Sequence, residues 1–272
     1  MRPGAPSKRP VDESLRNPVR KALRVLRLMA DAPGRGWGVR EVSQALSLPP
    51  STTHRILNTL NLEGLVQGDA APGRYRLGLE FLQIAWKATA GFPIREVALP
   101  IMRQIVARCN ETAVLGVYDP ARLKMMFLAS VESSHPLRYV FELNSWQPVH
   151  SGASGLAIMA FLPGAERRAI VSRTKLPSVT ERTITDPELL DAELMRVRQL
   201  GYAVTHGQRV VGAVGIAAPI WGPTGRVLGS IVVTVPEQRF QPSLELTLGQ
   251  LAVEFANKIT KALGGRAMSL ST

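Results

Sequence analysis

The chain has 272 residues, enough for about two domains at roughly 150 residues each. Hydrophobic residues make up 45% of it and charged residues 20%, which excludes wholesale disorder and a fibrous repeat. The formal net charge is +12, and residues 1–90 carry 14 basic and 7 acidic side chains, so +7 of this excess lies in the first third of the chain. A basic excess of this kind favours an acidic partner.

The single cysteine, Cys109, excludes an internal disulfide and every metal site that needs several cysteines. The N-terminal stretch has no apolar segment resembling a signal peptide, and no run approaches the ~18 apolar residues of a membrane span. We therefore expect a protein of the reducing cytoplasm with no membrane partner.

Three helices are predicted after a charged, proline-containing segment. Residues 1–17 show no apolar period and are expected to form a flexible basic arm. Between Pro18 and Pro33, apolar residues recur at spacings of three and four, which predicts the first helix. A shorter helical pattern covers 39–46, and a third helix begins at Pro50 after a break.

The third helix has an apolar side and a polar side. Its buried stripe is expected to be Thr53, Ile56, Leu57 and Leu60, which leaves facing outward Ser51, Thr52, His54, Arg55 and Asn58. These side chains are small or hydrogen-bonding, and an arginine can pair bidentately with guanine in the major groove. Taken alone, the same face could equally belong to an ordinary solvated helix.

A basic hairpin follows the third helix. Residues 65–67 are predicted to pair with 74–77, and the alternation of strand residues puts Arg74 and Arg76 on one face. Residues 18–78 therefore read as a winged helix-turn-helix DNA-binding domain. Its candidate DNA-binding residues are Arg40, Ser51, Thr52, His54, Arg55, Asn58, Arg74 and Arg76.

The remaining chain alternates helices and strands. Residues 79–91 are predicted to form a linker helix with apolar residues on two sides, and residues 92–265 a domain of the α+β class, followed by a tail at 266–272. Its predicted elements are helices at 94–110, 150–162, 186–200 and 244–263, and strands at 112–118, 125–131, 137–143, 214–221 and 227–235.

A run of small residues opens the helix after residue 149. It consists of His150, Ser151, Gly152, Ala153, Ser154 and Gly155. Accessible amides at a helix N-terminus, with two hydroxyls beside them, are a natural site for a small carboxylate. Small residues are also what a tightly packed helix start requires, so the pattern alone leaves both interpretations open.

Catalytic and cofactor motifs are not recognisable. The four histidines are scattered without metal-ligand spacing, and neither a nucleophile elbow nor a phosphate-binding glycine loop occurs. His150 beside Ser151 could be imagined as a base and a nucleophile, but adjacency in sequence does not establish that geometry. We expect no enzyme activity and no cofactor.

Motifs in both halves resemble the IclR family of bacterial transcriptional regulators over residues 18–265. In the first half they are EVSQALSLPPSTTHRILNTLNLEGLV and GRYRLG, and in the second LPIMRQIVARCNETAVLGVYD, PVHSGASGLAIMAFLP, TITDPELLDAELMRVRQLGYAV and GAVGIAAPI. The resemblance implies a winged helix-turn-helix, a linker helix and a GAF-like effector-binding domain. It also implies a homodimer or a dimer of dimers on a palindromic operator in double-stranded DNA.

The resemblance also assigns residues. It places DNA reading at Ser51, Thr52, His54 and Arg55 with wing contacts at Arg74 and Arg76, and it makes the segment 150–155 one wall of an effector pocket. The facing wall falls on Gln208, Arg209 and Gly215. Three departures stand out: Pro50 where many members have lysine, Gln208 where many have an acidic residue, and Gly215 in place of a frequent cysteine.

The sequence thus predicts a regulator whose operator affinity responds to a small effector, an organic or aromatic carboxylate. The carboxylate is expected at Ser151, Ala153 and Ser154, and the apolar body of the ligand against Val117, Phe127 and Ile216. The alternative is a GAF-like enzyme or small-molecule carrier that a basic domain merely tethers.

Overall fold

The computed structural model describes residues 17–32, 34–69, 72–90 and 93–266. Contacts divide the chain into two compact units, residues 1–92 and 93–272. No helix in the described ranges is long and apolar enough to cross a membrane. Most of the predicted arm and tail, together with Pro33 and residues 91–92, lies outside the described residues.

The described part of the N-terminal unit contains four helices and a small antiparallel sheet. The helices are α1 (Pro18–Ala30), α2 (Val39–Leu46), α3 (Pro50–Leu62) and α4 (Leu79–Ala90), and the strands β1 (Trp37–Gly38), β2 (Val66–Gly68) and β3 (Arg74–Leu77), in the order β1-β3-β2. The three predicted helices and the hairpin are confirmed. Strand β1 was not predicted, because it has only two residues and so short a strand shows no alternation of apolar and polar residues.

The turn between α2 and α3 is held by buried hydrogen bonds. Ser47 takes a left-handed conformation with φ of 53°, and the Ser43 hydroxyl donates to the Leu48 carbonyl at 2.6 Å. Arg24 on α1 donates to the Leu46 carbonyl at 3.0 Å. These two bonds satisfy the last carbonyl of α2 and a carbonyl of the turn itself, and they restrain the direction in which α3 leaves the turn.

The C-terminal unit is a six-stranded sheet with helices on both faces. Its helices are α5 (Ile94–Cys109), α6 (Gly152–Met159), α7 (Gly164–Thr174), α8 (Pro187–Leu200) and α9 (Leu244–Ala262). Its strands are β4 (Thr112–Asp119), β5 (Lys124–Val131), β6 (Trp146–Pro148), β7 (Ala203–His206), β8 (Ala213–Trp221) and β9 (Val227–Pro236). The order is β6-β5-β4-β9-β8-β7, with every pair antiparallel.

Strand alternation divides the core of this unit into two clusters. One face carries Leu115, Ile216 and Val233 against helices α5 and α9. The other carries Val114, Ala217 and Val232 against α6, α7 and α8. Because both faces are covered, the central strands are apolar at nearly every position, and they were recognisable in the sequence for that reason.

The sequence prediction needs two corrections in this unit. Residues 137–143 do not form a strand; the edge strand beside β5 is the later β6. Helix α7 and strand β7 were not predicted. Helix α7 has Ile170 as its one fully buried residue, so it shows little apolar periodicity, and β7 is only four residues long. The predicted helix at 186–200 is confirmed as α8, which Asp186 caps by accepting bonds from the Glu188 and Leu189 amides.

The first prediction concerns the α2–α3 turn. Ser43→Ala removes the donor to a buried carbonyl, so the N-terminal unit should lose about 1 kcal/mol of stability. Native-state hydrogen exchange of the α2 and α3 amides would measure this loss, with the exposed Gln44→Ala as the matched control. Equal protection in both variants would show that the Ser43 hydroxyl does not hold the turn.

Candidate DNA-binding and ligand-binding sites

Helix α3 presents a polar face over a buried stripe, as predicted. Thr53, Ile56, Leu57 and Leu60 are buried in the N-terminal core. The exposed residues on the other side are Ser51, His54, Arg55 and Asn58, and Thr52 is half-buried. The spacing of three and four residues aligns Ser51, Arg55 and Asn58 along one side of the helix.

The beginning of α3 is suited to an anion. Pro50 occupies its first position, no acidic residue lies in its first turn, and the residue before it, Pro49, has no side-chain group that could cap the helix. The positive end of the helix dipole therefore faces outward beside Ser51 and Thr52. This arrangement suits a phosphate or another small anion.

The wing arginines lie in different surroundings. Arg74 donates to Glu41 at 2.7 Å and to the Gly36 carbonyl at 3.1 Å, so its guanidinium joins the wing to the start of α2. Arg76 is exposed, opposite Gln67 in the β2–β3 ladder. A phosphate contact by Arg74 has to compete with Glu41, whereas among the described residues no such ion pair involves Arg76 or the exposed Arg40 on α2.

Glu41 is the centre of that network. The Gly38 amide donates to its carboxylate at 2.8 Å, and Arg35 approaches it at 3.3 Å. The Gly38 hydrogen bond, with the charges of Arg74 and Arg35, holds the pKa of Glu41 below its ordinary value. Glu41 therefore caps α2 and anchors the wing at the same time.

A pocket lies within the C-terminal unit beside the start of α6. It contains about 370 Å³ of empty space, counting its open mouth. Its lining residues are Phe127, Phe141, Gly152, Ala153, Ser154, Thr205, Gln208, Arg209, Val210, Ala213, Gly215, Val232 and Thr234. Residues 152–154 of the predicted wall at 150–155 thus line one cavity together with the predicted facing wall at Gln208, Arg209 and Gly215.

Three polar groups at the start of α6 already have partners. The Ala153 amide donates to the Thr205 hydroxyl at 3.0 Å, and the Ser151 hydroxyl donates to the Gln208 carbonyl at 2.9 Å. The Ser154 hydroxyl lies 2.6 Å from the hydroxyl of Ser230. A carboxylate at this point would have to displace these bonds.

Arg209 brings a positive charge to the pocket wall. Its guanidinium donates to the Ser151 and Pro148 carbonyls and, at 3.2 Å, to the Gln147 side chain. No ion pair with a carboxylate involves it in the part of the chain that the structure describes. Burial lowers the pKa of Arg209 to about 10, so the group is still cationic at neutral pH.

Several predicted residues lie outside the pocket lining. His150 is buried with its Nε2 atom 3.1 Å from the Pro177 carbonyl, and Ser151 is buried beneath the loop that it bonds. Gly155 packs on the Val149 backbone, where a Cβ would come within 2.2 Å of the carbonyl. At these positions the close-packing interpretation describes the structure.

The prediction that Val117 and Ile216 contact the apolar body of the ligand is wrong. Val117 and Ile216 pack in the cluster on the opposite face of the sheet, because strand neighbours alternate sides. Phe127 does line the pocket, with Phe141 edge-on at 5.3 Å. The sequence did not indicate three other lining residues, which are Phe141, Thr205 and Thr234. Phe141 lies in a stretch without periodicity, and the two threonines lie on strands that are distant in sequence.

The second prediction concerns His150. Burial lowers its pKa, aided by the charge of Arg209 and opposed by the bond to Pro177, so the unfolded chain binds a proton more readily than the folded one. The stability that neutral His150 contributes is therefore present above about pH 6.5 and is lost as the pH falls below it. Calorimetry should show that acidification destabilises the wild type more than His150→Gln. Parallel pH profiles would contradict this.

Comparison with known proteins identifies both units. The model of the bacterial transcriptional regulator IclR C-terminal domain matches residues 86–261, and that of the IclR helix-turn-helix domain matches residues 18–70. The probable transcriptional regulator SauR of Cupriavidus necator is 30% identical over 243 residues, covering 86% of this chain and 95% of SauR. The repressor AllR of Escherichia coli K12 is 27% identical, covering 95% and 94%.

Solved structures agree. An IclR regulator from Silicibacter sp. TM1040 superposes with a TM-score of 0.78 at 26% identity, covering 93% of this chain and 99% of its own. An IclR homologue from Microbacterium hydrocarbonoxydans, in complex with 4-hydroxybenzoate, gives a TM-score of 0.78 at 26% identity, covering 91% and 99%. This chain therefore belongs to the IclR family of bacterial transcriptional regulators, with an N-terminal helix-turn-helix and a GAF-like effector-binding domain.

Proposed function

We propose that this regulator binds a palindromic operator as a homodimer, or as a dimer of dimers. Its affinity for the operator falls or rises when a small organic acid binds in the C-terminal pocket. The DNA-binding part of this proposal rests on the polar face of α3, which lies opposite a buried apolar stripe. The effector half rests on the cationic pocket wall at Arg209. The protein would act where bacterial DNA lies, in the cytoplasm.

Base reading is assigned to the exposed side of α3. Arg55 is the residue on that side that can pair bidentately with guanine, while Ser51 and Thr52 sit at the helix start where phosphates bind. Arg40, His54, Asn58 and Arg76 extend the polar surface on either side. Arg74 contributes mainly by holding the wing in place.

Dimerisation is assigned to the linker helix α4. Leu79, Leu82 and Ile84 on this helix are exposed, which costs free energy in a monomer. A second copy of the same helix would cover them and double the number of base contacts on a two-fold symmetric site. The side chain of Trp86, which the sequence pattern also placed on this helix, lies outside the described part.

A carboxylate effector is supported by charge and by a relative. An anion would neutralise the Arg209 guanidinium, and the Microbacterium hydrocarbonoxydans homologue was solved with 4-hydroxybenzoate. Binding can change operator affinity only if the two conformations of the protein differ in affinity for the ligand, with couplings of about 1–3 kcal/mol being typical.

The enzyme alternative has less support. Relatives that cover nearly the whole chain carry names of regulators, and the serine and histidine that could suggest a nucleophile and base are committed to other bonds. We propose that the chain binds its ligand without converting it.

The third prediction tests DNA reading. Arg55→Ala should weaken binding to an operator selected from random duplexes by about 1–3 kcal/mol while changing binding to a scrambled duplex less. Fluorescence anisotropy at several salt concentrations would measure both, with a slope of about −0.9 per phosphate neutralised. Arg173→Ala removes an equal charge from exposed helix α7 and is the control. An equal loss on both duplexes would refute base reading by Arg55.

The fourth prediction tests the dimer. Leu82→Glu puts a charge among the exposed apolar residues of α4 and should convert a wild-type dimer into monomer at micromolar concentration. The neighbouring Gln83→Glu adds the same charge at an already polar position and should leave the dimer intact. Light scattering after gel filtration distinguishes the two. A Leu82→Glu protein that stays dimeric would place the interface elsewhere.

A further inference from the structure

The Glu41 carboxylate is surrounded by three hydrogen-bond donors. The Gly38 amide donates to its Oε2 atom at 2.8 Å, Arg74 donates to the same oxygen at 2.7 Å, and Arg35 donates to its Oε1 atom at 3.3 Å. One negative charge thus faces two positive charges that come from different parts of the chain, the turn before α2 and the wing. These two guanidinium groups are the kind of group that binds phosphate, and here a carboxylate of the protein itself is bound to them.

Each of the two arginines is also held by a contact that does not involve Glu41. The Arg35 guanidinium lies 4.1 Å from the centre of the Trp37 ring, and the Nε atom of Arg74 donates to the Gly36 carbonyl at 3.1 Å. Pairing between β1 and β3 fixes the backbone on which these contacts depend. Removing the charge of Glu41 would therefore leave both guanidinium groups close to their present positions.

The network lies at the protein surface. The side chain of Arg35 is 53% exposed, and those of Arg74 and Glu41 are each 38% exposed. A phosphate group can therefore reach both guanidinium groups, but it has to compete for them with the carboxylate. The exposed Arg40, one of the candidate DNA-binding residues, is the neighbour of Glu41 on the same turn of α2.

The charge of Glu41 opposes one part of DNA affinity and leaves the other unaffected. Affinity for DNA of any sequence comes from cations that neutralise phosphates, whereas preference for one sequence comes from contacts with base edges. Glu41 repels the DNA backbone and holds two cations in ion pairs, so it lowers the first part. The polar face of α3, to which base reading is assigned, makes no use of this carboxylate.

We propose that Glu41 limits the affinity of this regulator for DNA of any sequence by keeping Arg35 and Arg74 from the phosphate backbone. The inference rests on the proposed function, and it gives Glu41 a role beyond capping α2 and anchoring the wing. Weak binding to other sequences lets a regulator leave them quickly as it slides and hops along DNA towards its operator.

The test compares full-length wild type and Glu41→Gln on a scrambled duplex. Glutamine keeps the length of the side chain and still accepts a hydrogen bond from the Gly38 amide, so α2 should stay capped. At low salt, fluorescence anisotropy should show that Glu41→Gln binds the scrambled duplex about tenfold more tightly, with a gain that shrinks as salt is added. A purely structural role predicts the opposite sign, because a damaged domain loses affinity. Unchanged or weaker binding would overturn the proposal.

Glu63→Gln is the matched control for net charge. Glu63 is exposed in the same unit, and no ion pair among the described residues involves it. Its substitution removes an equal charge without releasing an arginine, so the gain on the scrambled duplex should be much smaller than in Glu41→Gln. An equal gain in the two variants would show that net charge alone is responsible, and the specific role of Glu41 would be wrong.

Double-mutant cycles test whether the arginines are released. Arg35→Gln should weaken binding to the scrambled duplex more in the Glu41→Gln background than in wild type, because only there is the guanidinium free to bind a phosphate. Arg74→Gln should show the same dependence on the background. Additive effects in both cycles would overturn the proposed competition between the carboxylate and phosphates.

Binding to a selected operator distinguishes this inference from the proposed function. If wild type prefers the operator but Glu41→Gln gains nothing on the scrambled duplex, the regulator assignment stands and the role of Glu41 is wrong. If wild type binds operator and scrambled duplex equally, the proposed function itself fails, whatever the Glu41→Gln titrations show.

Discussion

The close approach of helix α6 to the sheet is the contact on which the C-terminal unit depends. Every residue of α6 is buried. A Cβ on Gly116 would come within 2.5 Å of the Ser154 hydroxyl, and one on Gly215 would lie 3.2 Å from the Ala153 Cβ. Small residues on both the helix and the strands are therefore what lets this helix lie on the sheet without a gap.

That packing determines what is left for a ligand. Because α6 is pressed onto the strands, the Ala153 amide finds a partner on β7, and the hydroxyls of Ser151 and Ser154 find partners on the loop after β7 and on β9. The same loop then passes beside the start of the helix, where Gly152 has φ of +74° and a Cβ there would lie 3.0 Å from the Cβ of Arg209. A tightly packed helix start and a charged pocket wall thus arise from one arrangement of backbone.

The spacing of apolar residues within one helix or one strand predicted the elements whose structure depends on neighbouring residues in the chain. The stripe on α3 and the doubly buried central strands both follow from residue spacing over a short stretch of chain. The predicted strand at 137–143 failed because its apolar residues include Phe141, which packs over the pocket, and Leu137 and Val140, which are exposed. The apolar residues there belong to a segment that covers the pocket, and their spacing does not distinguish such a segment from a strand.

The pocket could be located in the sequence only as two separate walls. Gly152, Ala153 and Ser154 were recognisable as a helix start, and Gln208, Arg209 and Gly215 through family resemblance. Which of their polar atoms remain unpartnered depends on residues tens of positions away, among them Thr205 and Ser230. The sequence does not reveal these pairings, because hydrogen bonds between residues on different strands produce no pattern within a short stretch of chain.

The ion pairs around Glu41 have a consequence for how DNA affinity would be read. Arg35, Glu41 and Arg74 are all partly exposed, so added salt screens their attraction as it also screens the attraction between protein and phosphates. Salt then acts twice, once by counterion competition at the DNA and once by loosening the wing from α2. The slope of affinity against salt would therefore report the ion pairs of the wing together with the phosphate contacts, and it would not count the phosphates alone.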